Sequence, residues 1–541
     1  HSDTGPARTD TDRMRTDTGP ACTDANRTHW DTSPADRDGD RTHSDTGPAR
    51  TDTDRTHPDT SPARTDTNRT RTDTSPAHRD TGAGPALPST VPATARPAAP
   101  TTLDTDPALT DLTDTGPTLP GTAVPPAGTA TAPATDPPDP SIPLFVRRSR
   151  ACPFDPAEEF ARLRAHAPVV RTTLPTGASA WMVTRYADAR QVIADERRFS
   201  SEAAVNGPVP PPMPPEGFPP PRPGVFYTSG PEEHARIRRM LTAEFNVQRA
   251  RALVPRVETL ADRHLDAIVR GGPPADLIAD FALPVPRRLF LELLGIPDED
   301  TGLLHHDLAL LHDFHPIHAE QEGAFQRLDA YLGDLVTARR RAPDDSVLGR
   351  LITAHGTELT DPELVGITTQ LLLAGYATVT GALGLSLLLL VLDPRQAALV
   401  REGRAQPEHM AEELLRHLSV VAFGKVFVAT EDVTVAGQPI KAGEYVLCHL
   451  PSANRDQALG PDLDRLDVTR APLPHLALGH GPHYCLGAEL ARMELRVCVP
   501  RLLRRLPDLR LTVPVGDLRF TPLNAAYGVE SLPVTWSPGR S

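Results

Sequence analysis

The spacing of apolar side chains along the chain changes near residue 141. Beyond that point apolar positions recur every three to four residues, which is the spacing that buries one face of a helix. Short runs that favour β-strands are fewer. This pattern predicts helices at 158–167, 187–195, 232–245, 250–270, 283–294, 323–341, 362–392 and 407–418, and strands at 181–186, 426–430 and 445–448. We therefore expect residues 141–541 to form one mainly α domain with small β-sheets.

The first 140 residues have a different character. Residues 1–80 repeat the motif Asp-Thr-Gly/Ser-Pro-Ala at intervals of 14 residues, and 81–140 are rich in Pro, Ala and Thr. Such segments cannot bury enough apolar surface to offset the entropy of the chain. We expect 1–80 to be disordered 14-residue repeats and 81–140 to be a loose linker.

Charge and cysteine content exclude several classes of protein. The chain has 56 Lys+Arg against 70 Asp+Glu, and nine of its fourteen net negative charges lie in residues 1–140. The remaining domain is mildly acidic, which argues against a strongly basic nucleic-acid binder. Its five cysteines are scattered without a CxxC pair, so neither a disulfide framework nor a zinc ribbon is indicated. We expect a cytoplasmic protein.

One apolar segment is long enough to cross a membrane. Residues 365–392 contain no charged side chain, which meets the length criterion for a spanning helix. The segment carries several Thr and Gly together with Gln370, and amphipathic helices flank it. A helix that is apolar on all sides can equally form the centre of a large core, and we favour that interpretation over a membrane span.

The strongest chemical pattern is the glycine-rich segment 478–487, in which Cys485 precedes a helix-forming run at 488–495. The start of a helix favours a thiolate, and glycines let the backbone approach a flat ligand. This suits one axial thiolate on a metal whose other ligands come from a macrocycle. Two alternatives remain open: a buried structural cysteine, and a zinc site. The zinc ligands would be His475, His480, His483 and Cys485.

The segment Gly479-x-Gly-x-His-x-Cys485-x-Gly487 resembles the haem-binding loop of cytochrome P450 monooxygenases, and residues 141–536 follow the order of that family. The closest resemblance is to bacterial members that oxidise actinobacterial secondary metabolites. It implies the cytochrome P450 fold, a single large helical domain around haem b. Glu413-Leu-Leu-Arg416 resembles the family's ExxR helix, with Arg465 as the third member of a structural ion-pair cluster.

The resemblance also implies a role for each site residue. Cys485 would be the iron ligand, within a loop shaped by Gly479 and Gly487. Ala374, Gly375 and Thr378 would form the oxygen-binding groove, although a mid-helix Thr more often bonds to its own helix carbonyl. The haem propionates would be bound by His234, Arg238 and His483. The substrate pocket would include Tyr376, Ala377, Phe423, Val426 and Phe427, together with the loop 208–226.

Three positions depart from the family pattern. Ala377 stands where the family usually has an acid before the Thr, so the usual acid–alcohol proton relay is incomplete. Phe427 stands where many relatives have an Arg against a propionate, and Lys425 is a candidate substitute without the guanidinium fork. Leu478 replaces the Phe that usually lies beside the ligand cysteine.

The expected function is hydroxylation or epoxidation of a small natural product with O2. No GxGxxG motif follows a predicted strand, so electrons from NAD(P)H would arrive through external partners, ferredoxin reductase and ferredoxin. An acidic partner would meet Arg236, Arg239, Arg492 and Arg496. The first alternative is oxidative cross-linking of aromatic groups in a peptide or polyketide. The second is a non-catalytic haem-thiolate domain for recruitment or ligand binding. We expect a monomer that does not bind membranes.

Overall fold

A computed structural model describes residues 144–149, 152–174, 177–206, 222–312, 318–522 and 525–537. The repeats predicted at 1–80, the linker predicted at 81–140 and most of the predicted pocket loop 208–226 lie outside these ranges. The description below concerns the described residues alone.

Helices dominate the described part of the chain, as the apolar spacing predicts. They are α1 Glu159–His166, α2 Tyr186–Ala194, α3 Ser201–Asn206, α4 Pro231–Thr242, α5 Val247–Gly271, α6 Pro284–Leu294, α7 Thr301–His312, α8 His318–Arg341, α9 Val347–His355, α10 Asp361–Tyr376, α11 Thr378–Leu392, α12 Pro394–Arg401, α13 Pro407–Leu418, α14 Leu450–Ala453 and α15 Ala488–Arg505. Each predicted helix is present within about five residues of its expected ends, except that the predicted helix 362–392 is divided in two. The helices α3, α7, α9, α12 and α14 were not predicted.

The β-structure is small and mostly antiparallel. The strands are β1 Val169–Thr173, β2 Ser179–Val183, β3 Phe199–Ser200, β4 Ala275–Asp276, β5 Val426–Ala429, β6 Val433–Val435, β7 Gln438–Ile440, β8 Tyr445–Cys448, β9 Arg510–Leu511 and β10 Pro533–Thr535. A five-stranded sheet has the order β1-β2-β8-β5-β3, with β2 and β8 parallel. This sheet brings β5 and α3, which are distant in sequence, to one side of a large cavity that α10 and α11 also border; we call it the main cavity.

The predicted helix 362–392 is two helices. It begins with a capping box, in which Glu363 N donates to Thr360 Oγ1 and Thr360 N donates to Glu363 Oε2. Ala377 separates α10 from α11 and has backbone angles of −93° and −30°. The combined segment Asp361–Leu392 is long and apolar enough to cross a membrane by length and composition.

The position of α11 supports the interpretation of this segment as a core helix. Its nine residues from Ala382 to Leu390 are all buried, and α11 packs against α13, α15 and the π-helical turn at Ile278–Ala282. The largest hydrophobic cluster of the described residues surrounds it. Because α11 is fixed on several sides, the break at its N-terminus is held in place beside the main cavity.

Candidate functional site

The glycine-rich loop before α15 carries Cys485 on the wall of a cavity of about 550 Å³. Gly479 and Gly481 have φ values of 74° and 67°, which favour glycine. A Cβ on Gly481 would lie 3.1 Å from the Cα of Ala194, so the loop also packs closely on the end of α2. Cys485 N donates to Leu478 O at 2.8 Å, which closes the loop beneath the cysteine.

Cys485 is exposed because it borders this cavity. The surrounding protein raises the pKa of its thiol by desolvation, whereas the backbone N–H of Gly487 and the charges of Arg238 and Arg492 act to lower it. The protein alone therefore favours a thiol. A bound metal cation would reverse this preference, since coordination deprotonates a thiol.

Donor groups from four segments meet beside another part of the cavity wall, which His234, Arg238, His483 and Lys425 border directly. His234 lies on α4 and its ring centroid is 3.8 Å from that of His483. Arg238, one turn later, donates to Tyr484 O at 2.5 Å. Lys425 Nζ lies 2.9 Å from Ser201 Oγ and 2.9 Å from His483 Nδ1. We call His234, Arg238, His483, Lys425 and Ser201 the donor cluster.

The donor cluster is an unfavourable place for further positive charge. Burial lowers the pKa of Lys425 to about 7, against the opposing effect of Glu196. Burial, followed by the charges of Lys425 and Arg238, lowers the pKa of His234 to about 4. Burial also lowers the pKa of His483, whose Nε2 lies 2.5 Å from Glu196 Oε1. An anion bound in this part of the cavity would stabilise the charged forms of these side chains and so raise their pKa values.

Phe427 stands in β5 where many relatives have an Arg against a propionate, and Lys425 lies two residues before it. Phe427 is 3% exposed and packs in the hydrophobic cluster beneath the five-stranded sheet, while part of it borders the cavity. Lys425 is 7% exposed, and its ammonium lies 4.8 Å from the centroid of the Tyr227 ring. The geometry favours Lys425 as the substitute for the Arg that the sequence lacks.

The break between α10 and α11 forms the wall of the cavity that carries Ala374, Gly375 and Thr378. Thr378 Oγ1 donates to Ala374 O at 2.9 Å, so its hydroxyl makes the bond to its own helix. A Cβ on Gly375 would collide with the ring of Phe290. A larger residue at this position would therefore require the Phe290 ring to move.

The predicted substrate-pocket residues do not all meet. Phe423 and Phe427 border the cavity. Val426 packs instead in a separate hydrophobic cluster, and Ala377 packs against the main core. The side chain of Tyr376 lies outside the described part of the structure.

The predicted ion-pair cluster has a different third member. Arg416 Nε and Nη2 each donate to Glu413 at 2.8 Å, and both side chains are buried. Arg470 Nε lies 3.2 Å from Glu413 Oε1, whereas Arg465 is exposed. The prediction of Arg465 is wrong in this respect. A turn in which Arg470 N donates to Asp467 O brings the later Arg to the carboxylate.

The Glu413–Arg416 pair also fixes the segment that leads to the cysteine loop. Arg416 Nη1 donates to Asn454 O and Leu463 O, both at 2.9 Å. Asn454 Oδ1 in turn accepts from Leu476 N at 2.6 Å. The buried pair is thus connected by hydrogen bonds to the segment just before Cys485.

The zinc alternative finds no support in the geometry. His475 pairs with Glu412 at 3.0 Å, and His480 accepts from Arg190 at 3.2 Å. Among the described residues, one group is spaced to hold a metal ion, and it consists of Glu196, His234 and His483 without Cys485. The ammonium of Lys425, which is not a member of this group, lies 2.9 Å from Nδ1 of His483.

Several residues that line the cavity or contact its donor cluster were not predicted from the sequence. Ser201 and Glu196 flank the short strand β3, and Tyr227 follows the Pro-rich loop. Arg148 reaches the cavity from the N-terminal segment and lies 4.5 Å from the centroid of the Tyr527 ring. These residues have no motif of their own, and only the fold brings them together.

Comparisons with known proteins agree with this geometry. A profile of the family described as "Cytochrome P450" matches residues 408–507. The chain is 41% identical to cytochrome P450-SU2 of Streptomyces griseolus over 421 residues, covering 75% of this chain and all of the relative. It is 38% identical to mycinamicin IV hydroxylase/epoxidase of Micromonospora griseorubida, covering 72% of this chain and 98% of the relative.

A solved structure shows the same fold. The P450 StaH from biosynthesis of the glycopeptide antibiotic A47934 is 38% identical, with a TM-score of 0.64, covering 73% of this chain and 100% of that chain. The sequence identity extends over nearly the full length of these relatives. The site geometry agrees with it, because the cysteine loop, the donor cluster and the helix break lie around one cavity. The chain belongs to the cytochrome P450 family of monooxygenases, and its relatives are actinobacterial enzymes of secondary metabolism.

Proposed function

We propose that this P450 hydroxylates or epoxidises a small natural product, with O2 as the oxidant and electrons delivered by a ferredoxin. The observation that carries the proposal is the arrangement of one cavity. Cys485 borders it on one wall, and Ala374 and Thr378 border it on another. A reactive centre held at Cys485 would therefore face the small side chains of the helix break.

The residues present fit haem b. Cys485 supplies one soft ligand, which suits haem iron. The donor cluster has buried cationic groups whose lowered pKa values favour an anionic partner, and haem carries two propionates. His234, Arg238, His483 and Lys425 would hold these carboxylates by charge-assisted hydrogen bonds. When bound, the haem supplies the activation of oxygen, and the protein supplies its orientation and surroundings.

Apolar side chains dominate the rest of the cavity wall. They include Phe290, Leu373, Val379, Val421 and Phe423. A pocket of this kind excludes water and binds ligands through their apolar surface. The proposed substrate is accordingly a small and largely apolar molecule.

Electron delivery would come from a separate protein. Of the four arginines expected to meet it, Arg239 is exposed, whereas Arg236 pairs with Glu233 and Glu363. Arg492 is also engaged, by Glu412 and the hydroxyl of Tyr484. Arg496 is only partly exposed, so Arg239 is the best candidate of the four to contact an acidic ferredoxin. We further propose that the enzyme is a cytoplasmic monomer.

The test uses holoenzyme with a surrogate ferredoxin and ferredoxin reductase. Compounds that change the haem spin state in a natural-product library are incubated with NADPH, and the product masses are measured. A gain of one oxygen supports hydroxylation or epoxidation. Omitting the ferredoxin is the control and should abolish the product.

The position of Ala377 favours oxidative cross-linking as a second candidate. No carboxylate stands at that position to supply a proton, so the proton must come from water, from another side chain or from the substrate, and an aromatic substrate with a phenolic hydroxyl is one such donor. Products lighter by two hydrogens, without added oxygen, would identify this reaction. A holoenzyme that binds ligands and turns over none of them would instead identify a non-catalytic haem-thiolate domain.

A further inference from the structure

Arg148 borders the main cavity from the segment before α1, and backbone carbonyls hold its guanidinium in place. Its Nη1 donates to Phe154 O at 3.3 Å and to Leu418 O at 3.2 Å, and its Nη2 donates to Ser419 O at 2.9 Å. Leu418 is the last residue of α13 and Ser419 is its C-cap, where the helix dipole favours a cation. The position of the guanidinium is therefore fixed by contacts with the end of a buried helix.

Part of the guanidinium remains free to bind a ligand. It carries five N–H groups, and its three hydrogen bonds leave two of them, including the one on Nε. Within the part of the chain that the structure describes, no carboxylate pairs with Arg148. The charge of Asp155 acts on Arg148, but this carboxylate pairs with Arg455 at 2.9 Å. The fixed cation thus borders the cavity with no counter-ion from the described residues.

Tyr527 provides a second donor beside this cation. The guanidinium carbon of Arg148 lies 4.5 Å from the centroid of the Tyr527 ring, and Tyr527 N donates to Val420 O at 2.8 Å. Tyr527 is 6% exposed and borders the cavity, yet its hydroxyl makes no hydrogen bond with the residues that the structure describes. Burial raises the pKa of this hydroxyl, so it stays a neutral O–H donor.

The two side chains together suit a carboxylate. Burial lowers the pKa of Arg148 to about 10, so the group is still a cation at neutral pH but one that an anion would stabilise. Both oxygens of a carboxylate accept hydrogen bonds, and bonds from a guanidinium to a carboxylate are among the stronger ones in proteins. A neutral ligand would gain less from the same donors.

We propose that Arg148 and Tyr527 form a subsite for the carboxylate of the substrate, with the apolar body of the substrate in the main cavity. This inference rests on the proposed monooxygenase function and narrows its substrate class to apolar carboxylic acids. The remaining N–H groups of Arg148 and the hydroxyl of Tyr527 donate to the carboxylate oxygens. The neighbouring residues Val146, Val420 and Ala525 also border the cavity. The subsite is therefore a polar point on a largely apolar wall, and it fixes which end of the substrate lies there.

The first test compares acids with neutral analogues of the same shape in the holoenzyme. Phenylbutanoate, phenylhexanoate and phenyloctanoate are each paired with the corresponding primary amide, and the affinities are measured by calorimetry together with the haem spin state. At least one acid should bind about tenfold more tightly than its amide, because its hydrogen bonds are charge-assisted. If no acid in the series binds more tightly than its amide, the proposal is wrong.

The second test removes the two donors in turn. Tyr527→Phe keeps the ring and removes the hydroxyl, so the preference for the acid should fall roughly tenfold. Arg148→Met should abolish the preference, and Arg148→Lys should retain part of it because a positive charge remains. The exposed Arg162 of α1 provides the matched control, and Arg162→Met should leave the preference unchanged. Survival of the full preference in Tyr527→Phe or in Arg148→Met would overturn the subsite.

Haem release distinguishes a substrate carboxylate from a haem propionate as the anion. Tyr527→Phe should release haem at the rate of the unmodified holoenzyme, because the donor cluster is the proposed propionate site. Faster release from Tyr527→Phe, together with a lost preference for the acid, would assign the subsite to the haem and refute the proposal. If Arg148→Met does not fold, Tyr527→Phe alone decides both measurements.

These outcomes are separable from failure of the proposed function, because the binding measurements need no turnover. If the unmodified holoenzyme prefers the acids but forms no product, the monooxygenase proposal fails and the carboxylate subsite stands. If it oxidises neutral compounds and shows no preference for the acids, the subsite fails alone.

Discussion

Replacing Lys425 by Met should move haem retention and the stability of the haem-free protein in opposite directions. Burial lowers the pKa of Lys425 from 10.5 to about 7. Between these values the folded protein binds fewer protons than the unfolded chain, so the stability of the haem-free protein falls as the pH decreases from 10.5 to 7. At about 1.4 kcal/mol per pH unit, the cost at neutral pH is about 4 to 5 kcal/mol.

The Lys425→Met substitution removes this loss of stability, but it also removes two hydrogen bonds. The bonds to Ser201 and His483, both 2.9 Å long, are worth about 1 kcal/mol each. The haem-free Lys425→Met protein should therefore gain roughly 2 to 3 kcal/mol at neutral pH, and the gain should shrink as the pH rises towards 10. Chemical denaturation of the haem-free protein at two pH values measures both quantities.

The holoenzyme should respond in the opposite sense. A hydrogen bond between a cation and a propionate is worth about 1.5 to 3 kcal/mol, so its loss should accelerate haem release roughly ten- to hundredfold. Transfer of haem to excess apomyoglobin, followed by the Soret absorbance, measures this rate. Lys425→Arg should retain more haem than Lys425→Met because a guanidinium can still pair with a carboxylate.

The chain provides a matched control for these measurements. Lys441 is the only other lysine, and its side chain is 71% exposed in an ion pair with Asp432. Lys441→Met should change neither haem release nor stability measurably. If Lys425→Met behaves like Lys441→Met in both assays, the assignment of Lys425 to the propionate pocket is wrong.

Three further perturbations test other parts of the site. Replacing Cys485 by Ala should abolish the thiolate spectrum of the reduced CO complex, and a retained thiolate spectrum would refute the ligand assignment. Glu413→Gln should destabilise the protein by about 3 to 5 kcal/mol in chemical denaturation, because Arg416 becomes a buried charge without a carboxylate. Replacing the exposed Arg465 by Ala should have little effect on the free energy of unfolding. Similar losses of stability in the two variants would contradict the corrected ion-pair cluster. Ala377→Glu should increase the fraction of electrons recovered in product if proton supply limits the enzyme, and no change or a decrease would show that another route already operates.

The sequence was most informative where side chains have short-range reasons for their positions. The spacing of apolar residues predicted the long helices, and the ExxR spacing placed Glu413 and Arg416 on one helix face. The glycines around Cys485 predicted a tight loop, and two of them have positive φ. These features depend on a few neighbouring residues, so a single sequence is enough to read them.

The features that were missed depend on contacts between distant segments. Whether Arg465 or Arg470 reaches Glu413 is decided by a turn whose geometry is not apparent from its composition. The apolar run 362–392 gave no sign of the break at Ala377, since all of its residues are compatible with a helix.

The burial of Phe427 restricts how this pocket can change by mutation. A return to the family's arginine at this position would place a guanidinium among the apolar side chains beneath the five-stranded sheet while Lys425 still occupies the donor cluster. Two cations would then lie close together in a buried region, and the added guanidinium would bear the cost of burial and of repulsion by Lys425. The two positions are therefore epistatic: lysine at 425 and phenylalanine at 427 are expected to persist or be replaced together along a lineage.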